Sequence, residues 1–181
     1  GKLKRVQQIM DHIMERNERV LVFTQYRAMG VRLQEHFEHR YQRKLPFLHG
    51  GTPAQHREQM VADFQEDDSA APILFVSLRA GGTGLNLTRA THVVHFDRWW
   101  NPAVEDQATD RAYRIGQQQN VSVYKMVCQG TLEERIDELL EQKRALAETV
   151  VGSGERWMTE LDDASLRNLV SLGDDAMVLE R

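Results

Sequence analysis

Apolar and polar positions alternate between two rhythms along this chain. Short apolar runs stand at "RVLVFT" (19–24), "LPFLH" (45–49), "PILFVS" (72–77), "THVVHF" (91–96) and "VSVYKMV" (121–127). Each is rich in β-branched or aromatic residues and too short for a helix, which predicts five strands. Pro46 lacks a backbone donor and places the second strand at a sheet edge or at its own first position. "PILFVS" reads as one continuous apolar run, as expected of a strand covered on both faces.

Between the runs the spacing turns helical. Residues 28–41 carry Val31, Leu33, Phe37 and Tyr41, and residues 50–65 carry Met60, Val61 and Phe64. In the second of these helices Thr52 suits the N-cap, Pro53 the first helical position, and Gln55 completes a capping box. Residues 101–116 predict a helix with Ala108, Ala112 and Ile115 turned to the core. Residues 131–151 predict a long amphipathic helix with Leu132, Ile136, Leu139, Leu140 and Leu146 on one side, opened by a Thr131–Glu134 capping box. This alternation implies an α/β fold, a parallel sheet with helices on both faces. The first residues, "GKLKRVQQIMDHIMER", start inside a helical pattern without an apolar signal core, as in a piece cut from a longer chain. "GSGE" (152–155) breaks the pattern, so a domain at 1–151 is expected, followed by an acidic extension at 152–181 with one weak helix near 163–172.

Composition alters the picture in one respect. The 181 residues are 41% hydrophobic and 28% charged, the profile of a soluble globular domain. No apolar run approaches the ~18 residues of a membrane span, so no membrane partner is expected. Cys128 is the only cysteine, which excludes an internal disulfide and fits a reducing compartment: the cytoplasm, at the nucleoid in a bacterium, or the nucleus in a eukaryote. Net charge is −4, which by itself argues against nucleic acid. The distribution reverses that. Residues 1–60 hold 11 Lys/Arg against 6 Asp/Glu, while residues 121–181 hold 7 against 13. A basic front half is free to face phosphates.

Ligands of a parallel sheet sit at the carboxyl ends of its strands. There the chain places "TQYR" (24–27), "HGGT" (49–52), "SLRAGGTGLNL" (77–87) and "DRWWNP" (97–102), four polar, glycine-rich or aromatic loops on one rim. "HGGT" opens a helix, where glycine N–H groups and the helix dipole make a phosphate seat; a plain tight turn explains the same residues equally well. The glycines of "SLRAGGTGLNL" let backbone approach a ligand, although no Walker lysine follows them. Trp99 and Trp100 follow a strand directly, so one faces the core and the other a neighbouring loop or a ligand. In "DQATDRAYRIGQ" (106–117), Gln107, Arg111 and Arg114 share one helical face, directed away from the small apolar face. Arginine offers a bidentate fork for phosphate, while an Asp110–Arg114 pair on a solvated face is the plain alternative. His36 with His39 lacks further metal ligands, His92 and His95 flank a strand as structural residues would, and Cys128 has no evident base; no metal site is expected.

In order along the chain, "HGGTPAQHREQMVADFQ", "SLRAGGTGLNLTRATHVVHFDRWWNP" and "DQATDRAYRIGQ" resemble the carboxyl-terminal RecA-like lobe of Swi/Snf-type DNA-translocating ATPases of helicase superfamily two, from about Val20 to Val150. The tail resembles the ends of bacterial members. Tyr113 stands where the family often has histidine, with both arginines in place. The resemblance implies a two-lobed, DNA-dependent ATP hydrolase whose amino-terminal lobe supplies the Walker lysine and magnesium-binding acidic motif. This chain has neither, so ATP and Mg2+ would be held mainly by that other lobe, and the chain alone would be inactive. It further implies arginine fingers at Arg111 and Arg114 ordered by Gln107, and a nucleotide border at Gly82, Gly84 and Asn86. A grip on double-stranded DNA would use Gln25, Tyr26, Gly50, Gly51, Thr52, Ser77 and Arg79. Trp99 and Trp100 would lie near the DNA, and a brace helix at about 131–149 would cross back towards the first lobe. The expected partners are duplex DNA, the amino-terminal lobe and a DNA-bound protein cargo. A non-catalytic binding module with the same fold is the alternative.

Overall fold

Strand β1 (Val20–Thr24) is buried at all five positions and lies at the centre of a parallel sheet of order β2-β3-β1-β4-β5. The computed structural model describes residues 1–78, 80, 85–99, 101–113, 117 and 119–147. Beside β1 lie β3 (Ile73–Ser77), in register from Val20 opposite Ile73, and β4 (His92–His95), from Val20 opposite His92. The edges are β2 (Phe47–Leu48), consistent with Pro46, and β5 (Ser122–Lys125). The helices are α1 (Lys2–Glu15), α2 (Arg27–Tyr41), α3 (Ala54–Glu66), α4 (Pro102–Thr109) and α5 (Leu132–Ala147).

Side chains alternate across the sheet and divide the core in two. Val20, Val22, Phe47, Ile73, Phe75 and Val94 meet Val6, Met10 and Ile13 of α1 and Leu33 and Phe37 of α2. Leu21, Phe23, Leu48, Leu74, Val76 and Val93 meet Phe64 of α3 and Ala108 of α4. Helices therefore cover both faces of a RecA-like sheet. Phe23, Phe37, Phe64 and Phe75 are at most 1% exposed, and burying each contributes about 1.5–3 kcal/mol. From β1 the chain runs to the β2 edge, returns to β3, then crosses β1 to reach β4. The connections leaving β1 and β4 therefore run in opposite directions across the sheet, the switch point beside which ligands of parallel sheets sit.

Two helix starts differ from expectation. Thr52 does not cap α3: its Oγ1 accepts from His49 N at 3.0 Å and its N–H donates to His49 O at 2.9 Å, so it closes the turn, while Pro53 is the N-cap. In α5 the Thr131 hydroxyl accepts from Glu133 N at 3.3 Å, and Glu134 reaches back to Gly130 N at 2.7 Å, one residue before the expected target. Ile136 and Leu140 are buried as expected, whereas Leu132 and Leu139 are half-buried. The extension 152–181 lies outside the described residues.

Candidate functional site

The rim is organised by Asp97, the first charged residue after β4. It is 8% exposed, and its Oδ2 accepts from the Thr24 hydroxyl and from Gln25 N at 3.2 Å. The end of β1 is thereby tied to the end of β4. Gln25 Nε2 donates to Arg98 O at 3.4 Å, and Leu78 N donates to Thr24 O at 3.0 Å, bringing in the end of β3. Gln25, Tyr26 and Ser77 are thus brought together, with Tyr26 57% exposed and Ser77 buried.

At the end of β2 the His49–Thr52 turn is locked internally. Gly51 N donates to His49 Nδ1 at 3.1 Å, so this N–H is engaged within the turn and does not form the open phosphate seat expected. Burial first, and the Arg27 charge second, push the His49 imidazole below its ordinary range, favouring the neutral form whose Nδ1 accepts. A Cβ at Gly50 would meet nothing within 4 Å, which leaves open space beside an exposed backbone.

The arginine motif departs most from the sequence reading. Helix α4 ends at Thr109, and residues 110–113 form a turn closed by Tyr113 N donating to Thr109 O at 3.2 Å; residues 114–116 of the expected helix lie outside the described residues. A tertiary bond holds this turn: Arg111 O accepts from Leu87 N at 2.9 Å, and Ala112 is fully buried. Gln107 and Arg111 consequently share no outward helical face. Gln107 is exposed, while Arg111 is 3% exposed and lies inside the lobe. Asn86, the residue before Leu87, is exposed beside this junction. Trp99 is half-buried against the α3/α4 side of the core. Arg79, Gly82, Gly84, Trp100 and Arg114 lie outside the described residues.

Sequence reasoning missed the residues that hold the rim together. Arg98 and Glu105 form a buried pair at 2.7 Å, and Glu105 also accepts from Trp99 N at 2.8 Å, linking the start of α4 to the exit of β4. Gln117 Nε2 donates to Thr88 O, Ala90 O and Ala112 O at 2.8, 3.0 and 3.2 Å, pinning the end of the arginine motif to the loop before β4. The available signal was a pair of charges, Asp97 and Arg98, placed between an apolar strand and two tryptophans. Three histidines have structural partners. His92 Nε2 lies 2.6 Å from Glu18 Oε2, His36 Nε2 meets Gln7 Nε2 at 2.7 Å, and His95 Nε2 meets the Thr109 hydroxyl at 2.9 Å.

Residues 1–116 match the model of the helicase conserved C-terminal domain. The chain belongs to that family. Relatives assign it to the Swi/Snf branch. It is 47% identical over 175 residues to the "Putative ATP-dependent helicase/translocase YwqA" of Bacillus subtilis, covering 97% of this chain and 19% of that protein. It is 38% identical over 157 residues to the human chromatin-remodeling ATPase INO80, covering 85% of this chain and 10% of that protein. Among solved structures it superposes on the Sulfolobus solfataricus SWI2/SNF2 ATPase C-terminal domain with a TM-score of 0.75 at 36% identity, covering 96% of this chain and 69% of that one. Against the Sulfolobus ATPase core in complex with dsDNA the TM-score is 0.79 at 40% identity, covering 96% of this chain and 36% of that one. The chain therefore spans a fifth or less of the length of these curated relatives.

Proposed function

We propose that this chain is the second motor lobe of an ATP-dependent translocase on double-stranded DNA. The observation that carries the reading is the continuity between rim and arginine motif. Asp97 ties β4 to the Thr24–Gln25 loop, Glu105 ties α4 to Arg98 and Trp99, and Arg111 O ties the end of α4 to Leu87 beside Asn86. One short helix thus joins the strand ends that would face DNA to the residues that would border nucleotide. Contacts to phosphate position a protein without reading sequence, which suits a motor that steps along any duplex.

ATP and Mg2+ would be held mainly by the amino-terminal lobe, with Asn86, Gly82 and Gly84 bordering the nucleotide. Arg111 and Arg114 would contact the γ-phosphate from this side, ordered by Gln107. Arg111 is interior in this conformation, so its finger role requires the 110–113 turn to open when the lobes close. Gln25, Tyr26, Gly50, Gly51, Thr52, Ser77, Arg79, Trp99 and Trp100 would form the DNA side, with the YwqA-like and INO80-like relatives supporting an ATP-driven role. A DNA-bound protein would be the cargo.

The test is ATP-driven displacement of a third strand from duplex DNA by the full-length protein. Displacement whose lag grows with duplex length, together with duplex-stimulated ATP hydrolysis, is expected. Duplex binding without ATP turnover would instead favour a non-catalytic binding module.

A further inference from the structure

Arg98 leaves β4 with no exposed side-chain surface, yet its fork reaches two helices. Nη1 donates to Glu105 Oε2 of α4 at 2.7 Å, and Nη2 lies 2.6 Å from Asp137 Oδ1 of α5. Glu105, 1% exposed at its side chain, uses its other oxygen to hold Trp99 N at 2.8 Å. A continuous path therefore runs Asp137–Arg98–Glu105–Trp99. Its two inner members, Arg98 and Glu105, are enclosed, while Trp99 is half-buried and Asp137 has 36% side-chain exposure. One turn earlier on α5, Glu133 lies 2.5 Å from Lys2 Nζ, which also donates to Phe96 O at 2.9 Å. Helix α5 thus grips the exit of β4 at two points, Phe96 and Arg98.

We propose that Asp137 is a positioning residue: through Arg98 it latches α5 to the Trp99 segment, so that movement of either carries the other. The inference rests on the translocase reading above. Arginine suits the role because its two terminal nitrogens spread one charge between two carboxylates, Nη1 bonding Glu105 while Nη2 stays free to pair with Asp137. Burial of Arg98 strengthens its hydrogen bond to Glu105 and its ion pair with Asp137, the latter a charge contact without hydrogen-bond geometry. The latch also separates from folding. Removing the Asp137 charge leaves Arg98 paired with Glu105, and Lys125 Nζ still lies 3.5 Å from Glu105.

The test compares wild type, Asp137→Asn and Asp137→Glu in the full-length protein. Asn keeps the volume without the charge, and Glu restores the charge. Basal ATP hydrolysis without DNA and KM for ATP are expected to stay within twofold of wild type in all three. In Asp137→Asn, duplex-stimulated kcat is expected to fall, or the half-saturating duplex concentration to rise, by about three- to thirtyfold. Asp137→Glu should recover most of the loss. Stimulation within twofold of wild type in Asp137→Asn would overturn the latch, and so would a parallel fall of basal and stimulated rates, which marks a purely structural role. Hydrogen exchange at the Trp99 amide reads the latch without activity, and it should quicken in Asp137→Asn. Absence of duplex stimulation in wild type would defeat the translocase reading, whereas unchanged Trp99 exchange would defeat the latch.

Discussion

Gly50 and Gly51 stand side by side and do different work. The Gly51 N–H is held by His49 Nδ1, and a Cβ there would come within 3.3 Å of the His49 ring; at Gly50 there is open space. Gly50→Ala therefore leaves the fold unchanged. If duplex backbone approaches this turn, as proposed, binding weakens by roughly three- to tenfold, the net worth of about one hydrogen bond. A fluorescence titration beside a thermal melt separates the two, and unaltered affinity would remove Gly50 from the interface. His95 offers a test of the core beneath the rim. Its ring stacks on Phe23 with centroids 5.4 Å apart. Burial first, then the charges of Lys125 and Arg98, push its pKa down to about 3. Folding keeps this imidazole neutral, so stability is full above about pH 6.5 and falls as pH drops from there towards 3, by at most about 1.4 kcal/mol per pH unit. Urea unfolding between pH 7 and pH 4.5 should show the decline, flattened in His95→Gln. A slope equal to wild type in that variant would refute the assignment.

Among the elements, the strands, and the burial of β1, β3 and β4, were legible because apolar runs of this length have few alternatives. Helix ends were less so. The expected helix 101–116 gives way to a turn after Thr109, where Leu87, remote in sequence, takes the Arg111 carbonyl, and no local pattern announces such a bond. The exposed β5 edge was equally invisible, since "VSVYKMV" reads as apolar while Ser122 and Val123 face outwards. Gly30 shows the converse, a local oddity with a tertiary cause. Within α2 its absent side chain admits the Phe47 ring, whose Cζ lies 2.2 Å from where a Cβ would stand. Gly30→Ala gains about 1 kcal/mol of helix propensity but crowds a buried ring, at a cost of about 1–3 kcal/mol. Net destabilisation of order 1 kcal/mol is expected from chemical denaturation, and a stabilised variant would show that the ring moves freely.

For the molecule as a whole, the motif loops identified the family and the class of chemistry, while the geometry joining them was hidden. Asp97 meets Thr24 and Gln25, Arg98 meets Glu105, and Gln117 meets Thr88 and Ala90 only once the strands, α4 and the loop before β4 are assembled. The candidate nucleotide residues also lack a phosphate loop of their own, which is the pattern expected of half an active site. The purified chain should accordingly show negligible ATP turnover; robust turnover would reveal a second phosphate site. The most direct test of the motor reading is duplex-stimulated ATP hydrolysis by the full-length protein carrying Arg111→Ala or Arg114→Ala. Each variant is expected to lose stimulated turnover by about 10³-fold or more while duplex affinity stays near wild type. Turnover within tenfold of wild type in both would contradict it.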